Sequence, residues 1–260
     1  MSDFLETVVA ERKADMQAAR RSSAPPARSG ARRASFADAI RAKRAAGHIA
    51  VIAEVKRRSP AHGDLAIEAD PTSLAFVYAQ AGAAAISVLT EPRHWGGSVA
   101  DLAAVARAVD LPVLYKDIVV DEQQLDEAEA AGASAVLLIA EALDDATLAS
   151  FVERAAALGL TALVEAHEER AFARAVACGA TVLGVNARSL RAPAEIDRER
   201  IKALHGLVRV DQLLVAESGI ASADDVAALP ARVDAVLVGT ALMTAEDPGG
   251  LVRSLAAVRR

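Results

Sequence analysis

Between residues 49 and 240 the chain alternates two kinds of segment. Eight short, nearly continuous apolar runs recur: IAVIAEV (49–55), AAISVLT (84–90), PVLYKD (112–117), AVLLIA (135–140), TALVEA (161–166), TVLGVN (181–186), QLLVAES (212–218) and DAVLVGT (234–240). Ala-rich amphipathic stretches lie between them, at 72–81, 99–109, 122–131, 145–158, 168–178 and 224–229. A strand buried on both faces reads as a continuous apolar run, and a crossover helix reads as a 3.6-residue stripe. The alternation therefore predicts eight parallel strands, each followed by a helix. AGA or CGA at three helix-to-strand junctions (81–83, 131–133 and 178–180) supports iterated βα units. An open doubly wound sheet is the alternative, but eight strands in regular alternation favour closure into an α/β fold with a single (β/α)8 TIM barrel.

Upstream, Phe4, Leu5, Val8 and Val9 predict one helix, and Phe36, Ala39, Ile40 and Lys43 another. The Arg-, Ser- and Pro-rich segment 20–34 reads as a linker between them. The expected organisation is an N-terminal two-helix extension over 1–48 and a barrel over 49–260, together one domain.

Composition narrows the function. The 29 basic and 35 acidic side chains leave a formal charge of −6, without the basic surface that a sequence-independent nucleic-acid binder needs. Aromatic residues are only 3%, too few to provide stacking platforms for single strands. No apolar run reaches the ~20 residues of a membrane span, and the first residues do not read as a signal peptide. A single cysteine, Cys178, forms no internal disulfide and suits a reducing cytoplasm. The five histidines show no metal-ligand spacing, so no metal is expected, and no GxGxxG or GxxxxGK[ST] motif points to a nucleotide cofactor. The charge leaves monomer and dimer equally open.

In a barrel of this type the active site lies at the C-terminal ends of the strands. Those ends are polar here: Glu54 and Lys56, Ser87, Lys116, Glu141, Glu165, Asn186 and Arg188, Glu217 and Ser218, then Gly239 and Thr240. Residues i and i+2 of a strand face the same way, so Glu54 with Lys56, and Asn186 with Arg188, point together into the mouth. Charges converging on one face must pair with one another or with a charged ligand, and such a cleft can drive acid and base pKa values apart. AESGI (216–220) and VGTAL (238–242) place small residues after strands 7 and 8, where barrels often hold phosphate. Ser59 can add a hydroxyl to the same anion. Cys178 reads as a small core residue and His167 as part of a helix start.

The segments AEVKRRSP, SVLTEPRHWGGS, YKDIVVD, ALVEAH, LGVNARSL, AESGI and VGTALM resemble, in order, the signature segments of the indole-3-glycerol phosphate synthases. The resemblance spans all eight strands and the two-helix extension. It implies a cofactor-free lyase of tryptophan biosynthesis, acting on the phosphorylated small molecule 1-(2-carboxyphenylamino)-1-deoxyribulose 5-phosphate to release indole-3-glycerol phosphate, CO2 and water. Carried over position by position, it makes Lys116 the acid of ring closure, Glu165 the base of dehydration and Lys56 a carboxylate holder and acid. Glu54 orients and balances the lysines, Glu217 is a further carboxylate of the site, and Asn186 and Arg188 position the substrate. Ser59, Ser218, Gly219, Gly239 and Thr240 hold phosphate, while Trp95 and Leu190 flank the aromatic ring. The chain departs from the family pattern at Ala61-His62-Gly63, where Ser-Lys-Gly is usual, at Ile118, where KDF is usual, and at Ala187 and Ser189, where NNRDL is usual. Two readings compete with this one: another phosphate-binding barrel lyase that uses Lys116 as a Schiff base, and a catalytically impaired ligand-binding paralogue.

Overall fold

The computed structural model describes residues 3–22 and 34–260. Eight parallel strands close a barrel: β1 (Ala50–Val55), β2 (Ala85–Leu89), β3 (Val113–Lys116), β4 (Ala135–Ile139), β5 (Thr161–Ala166), β6 (Val182–Asn186), β7 (Leu213–Glu217) and β8 (Ala235–Val238). Each pairs with its neighbours in chain order, and β8 returns to β1 through Ala50↔Ala235 and Ala53↔Val238. All eight apolar runs of the sequence are these strands.

Closure sorts the residues of each strand by parity. Val51, Ala53 and Val55 of β1 pack outward under the helices, while Ala50 and Ile52 face the interior with Leu114, Leu137, Leu163, Val182, Val215 and Leu237. Continuing the interior parity upward ends in polar groups: Glu54 on β1, Lys116 on β3, Glu165 on β5 and Glu217 on β7. These four come from alternate strands, which is how a barrel interior is layered. The core thus ends in an ionic layer.

The helices start where the sequence supplies caps. Asp70 accepts from Ser73 N at 2.8 Å with Pro71 as the first residue of the next helix, Ser98 accepts from Asp101 N at 3.0 Å, and Asp144 accepts from Thr147 N at 2.8 Å. Each such cap is worth about 1 kcal/mol, and each ends a loop at the C-terminal face of the barrel.

Two helices precede β1: α1 (Phe4–Ser22) and α2 (Phe36–Ala45). Phe36 and Ile40 of α2 are fully buried among Ala50, Ala84, Ala135 and Val182, at the N-terminal end of the barrel interior. Burying each ring or branched chain stabilises by about 1.5–3 kcal/mol. Helix α1 runs to Ser22, into the segment expected as linker, of which 23–33 lie outside the described residues. It lies across the opposite, C-terminal end. Arg12 makes a bidentate pair with Asp117 just after β3 (2.8 Å for both bonds), Glu11 meets His94 at 2.7 Å, Asp15 pairs with Arg93, and Asp3 pairs with Arg191. The extension therefore touches the loops after β2, β3 and β6.

Candidate active site

A cleft of about 700 Å³ opens at the C-terminal ends of the strands. Its floor and walls include Glu54, Lys56, Ser59, Trp95, Lys116, Glu165, Asn186, Arg188, Leu190, Glu217 and Ser218. A smaller adjoining recess of about 350 Å³ is lined by Lys56, Arg188, Ser218, Gly219, Gly239 and Thr240. The structure so brings every residue carried over from the family resemblance to one mouth, with Ser59 on the main cleft rather than in the recess. Ser59 Oγ lies 3.3 Å from Ala61 N and 3.5 Å from His62 Nδ1, so the hairpin formed by Arg58–Ser59 and Gly63–Asp64 holds it.

The ionic layer is tightly paired. Lys116 Nζ donates to Glu217 Oε2 at 2.8 Å and to Glu165 Oε2 at 3.2 Å. Lys56 Nζ meets Glu54 Oε1 at 3.1 Å, and Ser87 Oγ donates to Glu54 Oε2 at 3.3 Å. Asn186 Nδ2 donates to Glu165 Oε1 at 3.0 Å while its Oδ1 accepts from Arg188 N, tying the β6 loop to the β5 carboxylate.

Burial and charge divide the roles. Burial alone would discharge Lys116, but Glu165, Glu217 and Glu54 outweigh it and hold the amine above its ordinary range as an ammonium. Burial also opposes ionisation of Glu165, yet Lys116 and His167 hold it well below the usual carboxylate range. Glu217 goes the other way: burial, then the neighbouring Glu165, push it up. Two carboxylates beside one ammonium thus split into a charged group and a proton holder.

Local sequence makes room for this. A Cβ at Gly239 would come within 3.0 Å of the Glu54 carboxylate, and one at Gly184 would do the same to Glu217 Oε1. The backbone after β7 is unusual: Ser218 takes φ 68°, a left-handed conformation rare for a non-glycine residue. Such strain persists where surrounding contacts hold it, typically at ligand sites.

Sequence reasoning missed three residues and misplaced a fourth. Glu91, buried at the start of the loop after β2, accepts from the backbone N–H of Arg93, His94 and Trp95 and so sets the Trp95 loop. Asp117 receives Arg12, Thr90 Oγ1 and Tyr115 OH. Its position beside Lys116 was visible, but its partner 105 residues away was not. His167, read as a helix start, is buried with Nε2 3.2 Å from Glu165 Oε1. Glu141, expected at the mouth, is absent from the cleft lining: after Ile139 the chain turns into a 3-10 helix, Ala140–Ala142, and the carboxylate accepts from His167 N and Glu168 N instead.

Among the described residues no group of three or more His, Cys, Asp or Glu side chains is arranged to hold a metal ion, and no helix is long and apolar enough to cross a membrane.

An ammonium between two buried carboxylates, set at the strand ends of a (β/α)8 barrel beside a glycine-lined recess, defines the molecule as a barrel enzyme built for acid–base chemistry. A family model described as indole-3-glycerol phosphate synthase matches residues 5–255. The chain belongs to that family. Indole-3-glycerol phosphate synthase of Nocardioides sp. is 55% identical over 216 residues, 83% of this chain and 82% of that protein. The Beutenbergia cavernae enzyme of the same name is 48% identical over 263 residues, covering 97% and 94%. Among solved structures, a 3-hexulose-6-phosphate synthase superposes with a TM-score of 0.66 at 21% identity, over 82% of this chain and all of that one. A tryptophan synthase chain from M. tuberculosis also gives 0.66, at 16% identity, over 87% of this chain and all of that one. These two likenesses are of fold.

Proposed function

We propose that this chain converts 1-(2-carboxyphenylamino)-1-deoxyribulose 5-phosphate to indole-3-glycerol phosphate, CO2 and water. Membership of the family supports the reaction, and the contact of Lys116 with both Glu165 and Glu217 carries the assignment of roles. In ring closure an aromatic carbon attacks the substrate ketone, and the Lys116 ammonium gives its proton to the developing alkoxide. Loss of CO2 restores the aromatic ring. Glu165, held ionised, then takes the proton whose removal, with departure of the new hydroxyl as water, forms the indole double bond. Lys56 holds the carboxylate and supplies a proton to the leaving hydroxyl, with Glu54 orienting it.

Asn186 and Arg188 orient the substrate, and Trp95 and Leu190 flank its aromatic ring. The recess formed by Ser218, Gly219, Gly239 and Thr240 takes the phosphate, and Ser59 reaches the anion from the main cleft. Residues 1–48 and 49–260 act as one unit through the α1 ion pairs, and the lone cysteine suits a cytoplasmic setting. A Schiff base would need Lys116 as a free amine, a form its two carboxylates oppose.

The test is the rise of indole fluorescence when the protein meets this substrate, beside Lys116→Ala. A rise lost in the variant is the expected result. Substrate binding without any rise in the unsubstituted protein would overturn the reading in favour of a ligand-binding barrel.

A further inference from the structure

His167 has no part in the scheme above, yet it stands directly behind the proposed base. Its imidazole is 8% exposed and bracketed by two carboxylates, Nε2 3.2 Å from Glu165 Oε1 and Nδ1 3.4 Å from Glu141 Oε2. Glu141 is itself fixed, its Oε1 accepting from the backbone N–H of His167 at 2.6 Å and of Glu168 at 3.0 Å. The Nε2–Glu165 contact is close without being aligned as a hydrogen bond, so what reaches Glu165 from this side is charge rather than a directed donor. A neutral ring has one N–H and no net charge to offer two anions, whereas the imidazolium serves both.

We propose that His167 is a positioning residue for the reaction: an imidazolium wedged between Glu141 and Glu165 that keeps the Glu165 carboxylate ionised and in place to accept a proton. The inference rests on Glu165 being the base.

The charges around Glu165 show why a second cation is needed. Lys116 of β3 faces it from the cleft, Glu217 of β7 competes for the same ammonium, and Asn186 of β6 contributes a neutral donor. Two buried carboxylates compete for one ammonium, so one of them must hold a proton, and burial alone does not decide which. His167, at the Glu165 oxygen that Lys116 does not contact, biases that proton away from Glu165 and onto Glu217. Among the described residues, the ion-pair contacts of the ring are to Glu141 and Glu165; Glu168 next along the chain pairs outward with Arg191 at 3.1 Å. Burial works against the charged ring, but the two carboxylates outweigh it and push its pKa up to about 9, so the cation is present through the neutral range.

The experiment compares His167→Gln, Glu141→Gln and Glu165→Gln with the unsubstituted full-length protein, measuring kcat against pH by indole fluorescence and Tm alongside. Glutamine keeps a polar side chain of similar reach but no charge. The acid limb of kcat should move to higher pH by about one unit or more in His167→Gln, as expected for a carboxylate losing an adjacent cation, whereas Glu141→Gln, which removes an anion and leaves the ring charged in acid, should leave the limb in place or lower it. A merely structural histidine would lower Tm and leave the acid limb where it was, and that result overturns the proposal. If His167→Gln does not fold, His167→Lys against His167→Asn decides: the limb should stay near its native pH in the charged variant and rise in the uncharged one, and equal limbs overturn the proposal. Near-normal kcat in Glu165→Gln would remove the assignment of the base and this inference with it. An inactive Glu165→Gln beside an unshifted His167→Gln would defeat the inference alone.

Discussion

Lys116 Nζ lies 2.8 Å from Glu217 Oε2, a contact between the third and seventh strands that closes only because both side chains point into the barrel. With Glu165 on its other side, the amine is an ammonium, raised above its ordinary range against the opposing effect of burial. In that form it has a proton to give and no free lone pair, which is the basis for the proposed role of proton donor. Borohydride added during turnover should leave Lys116 unmodified by mass spectrometry, and Lys116→Ala should lower kcat by roughly 10²-fold or more, the usual scale of general-acid catalysis. A trapped adduct on Lys116 would transfer the site to Schiff-base chemistry.

Gly184 makes room for that partner. A Cβ there would fall within 3.0 Å of Glu217 Oε1, the far end of a flexible side chain. Gly184→Ala should therefore fold, displace Glu217 from Lys116 and lower kcat by about tenfold, the cost of some 1.4 kcal/mol in the transition state. Its Tm should fall by only a few degrees. Unchanged kcat would mean that the placement of Glu217 does not matter to the reaction.

The strand ends were legible because barrel closure obeys a period of two: the pairs 54/56 and 186/188 could be placed on one face from spacing alone. The same rule failed at Glu141, whose parity matches Ile139, because the chain leaves the strand at Ile139 and turns. His167 was misjudged for a related reason. Its meaning depends on Glu141, 26 residues earlier, brought to it by the pairing of β4 with β5. The clamp of Arg12 on Asp117 spans 105 residues and two elements that no local pattern connects. Of the helices, the ones the periodicity did not mark include Glu199–Leu204 and Thr240–Thr244, too short to show a stripe.

Among the described ion pairs between the extension and the barrel, that clamp is the most buried. Arg12 is 9% and Asp117 2% exposed, and the guanidinium, though opposed by burial, is held charged by Asp117. Arg12→Leu would leave a buried carboxylate without its cation, an effect of about 3–5 kcal/mol. Urea unfolding should show that loss, with a lowered midpoint. A loss under ~1 kcal/mol would place the pair among surface-like bridges.

The recess after β7 and β8 is tested by charge. Thr240 lines it with Gly239 and Ser218. Thr240→Asp would set a carboxylate beside the substrate phosphate and should raise KM by about tenfold or more, equivalent to ~1.4 kcal/mol of repulsion. kcat should change far less, because Lys116 and Glu165 line the main cleft and not this recess. An unaltered KM would move the phosphate out of this recess.

His62 stands where the family pattern that the sequence resembles has a lysine, in the hairpin beside Ser59. Burial, then the nearby cations Arg188 and Lys56, lower its pKa below the ordinary histidine value, so it is uncharged at neutral pH and gains a proton only in acid. The mouth therefore lacks one positive charge when an anionic substrate arrives at pH 7–8. His62→Lys should lower KM at pH 8 by about fivefold, the scale of one exposed charge contact of ~1 kcal/mol. The advantage should shrink as pH falls and the native histidine charges, and it should weaken with added salt. His62→Ala should match the unsubstituted protein at pH 8 and fall behind it in acid. Steady-state kinetics of the three proteins at two pH values decides the matter. If all three share one KM at both, the loop charge does not meet the substrate, and the exchange of lysine for histidine is neutral for binding.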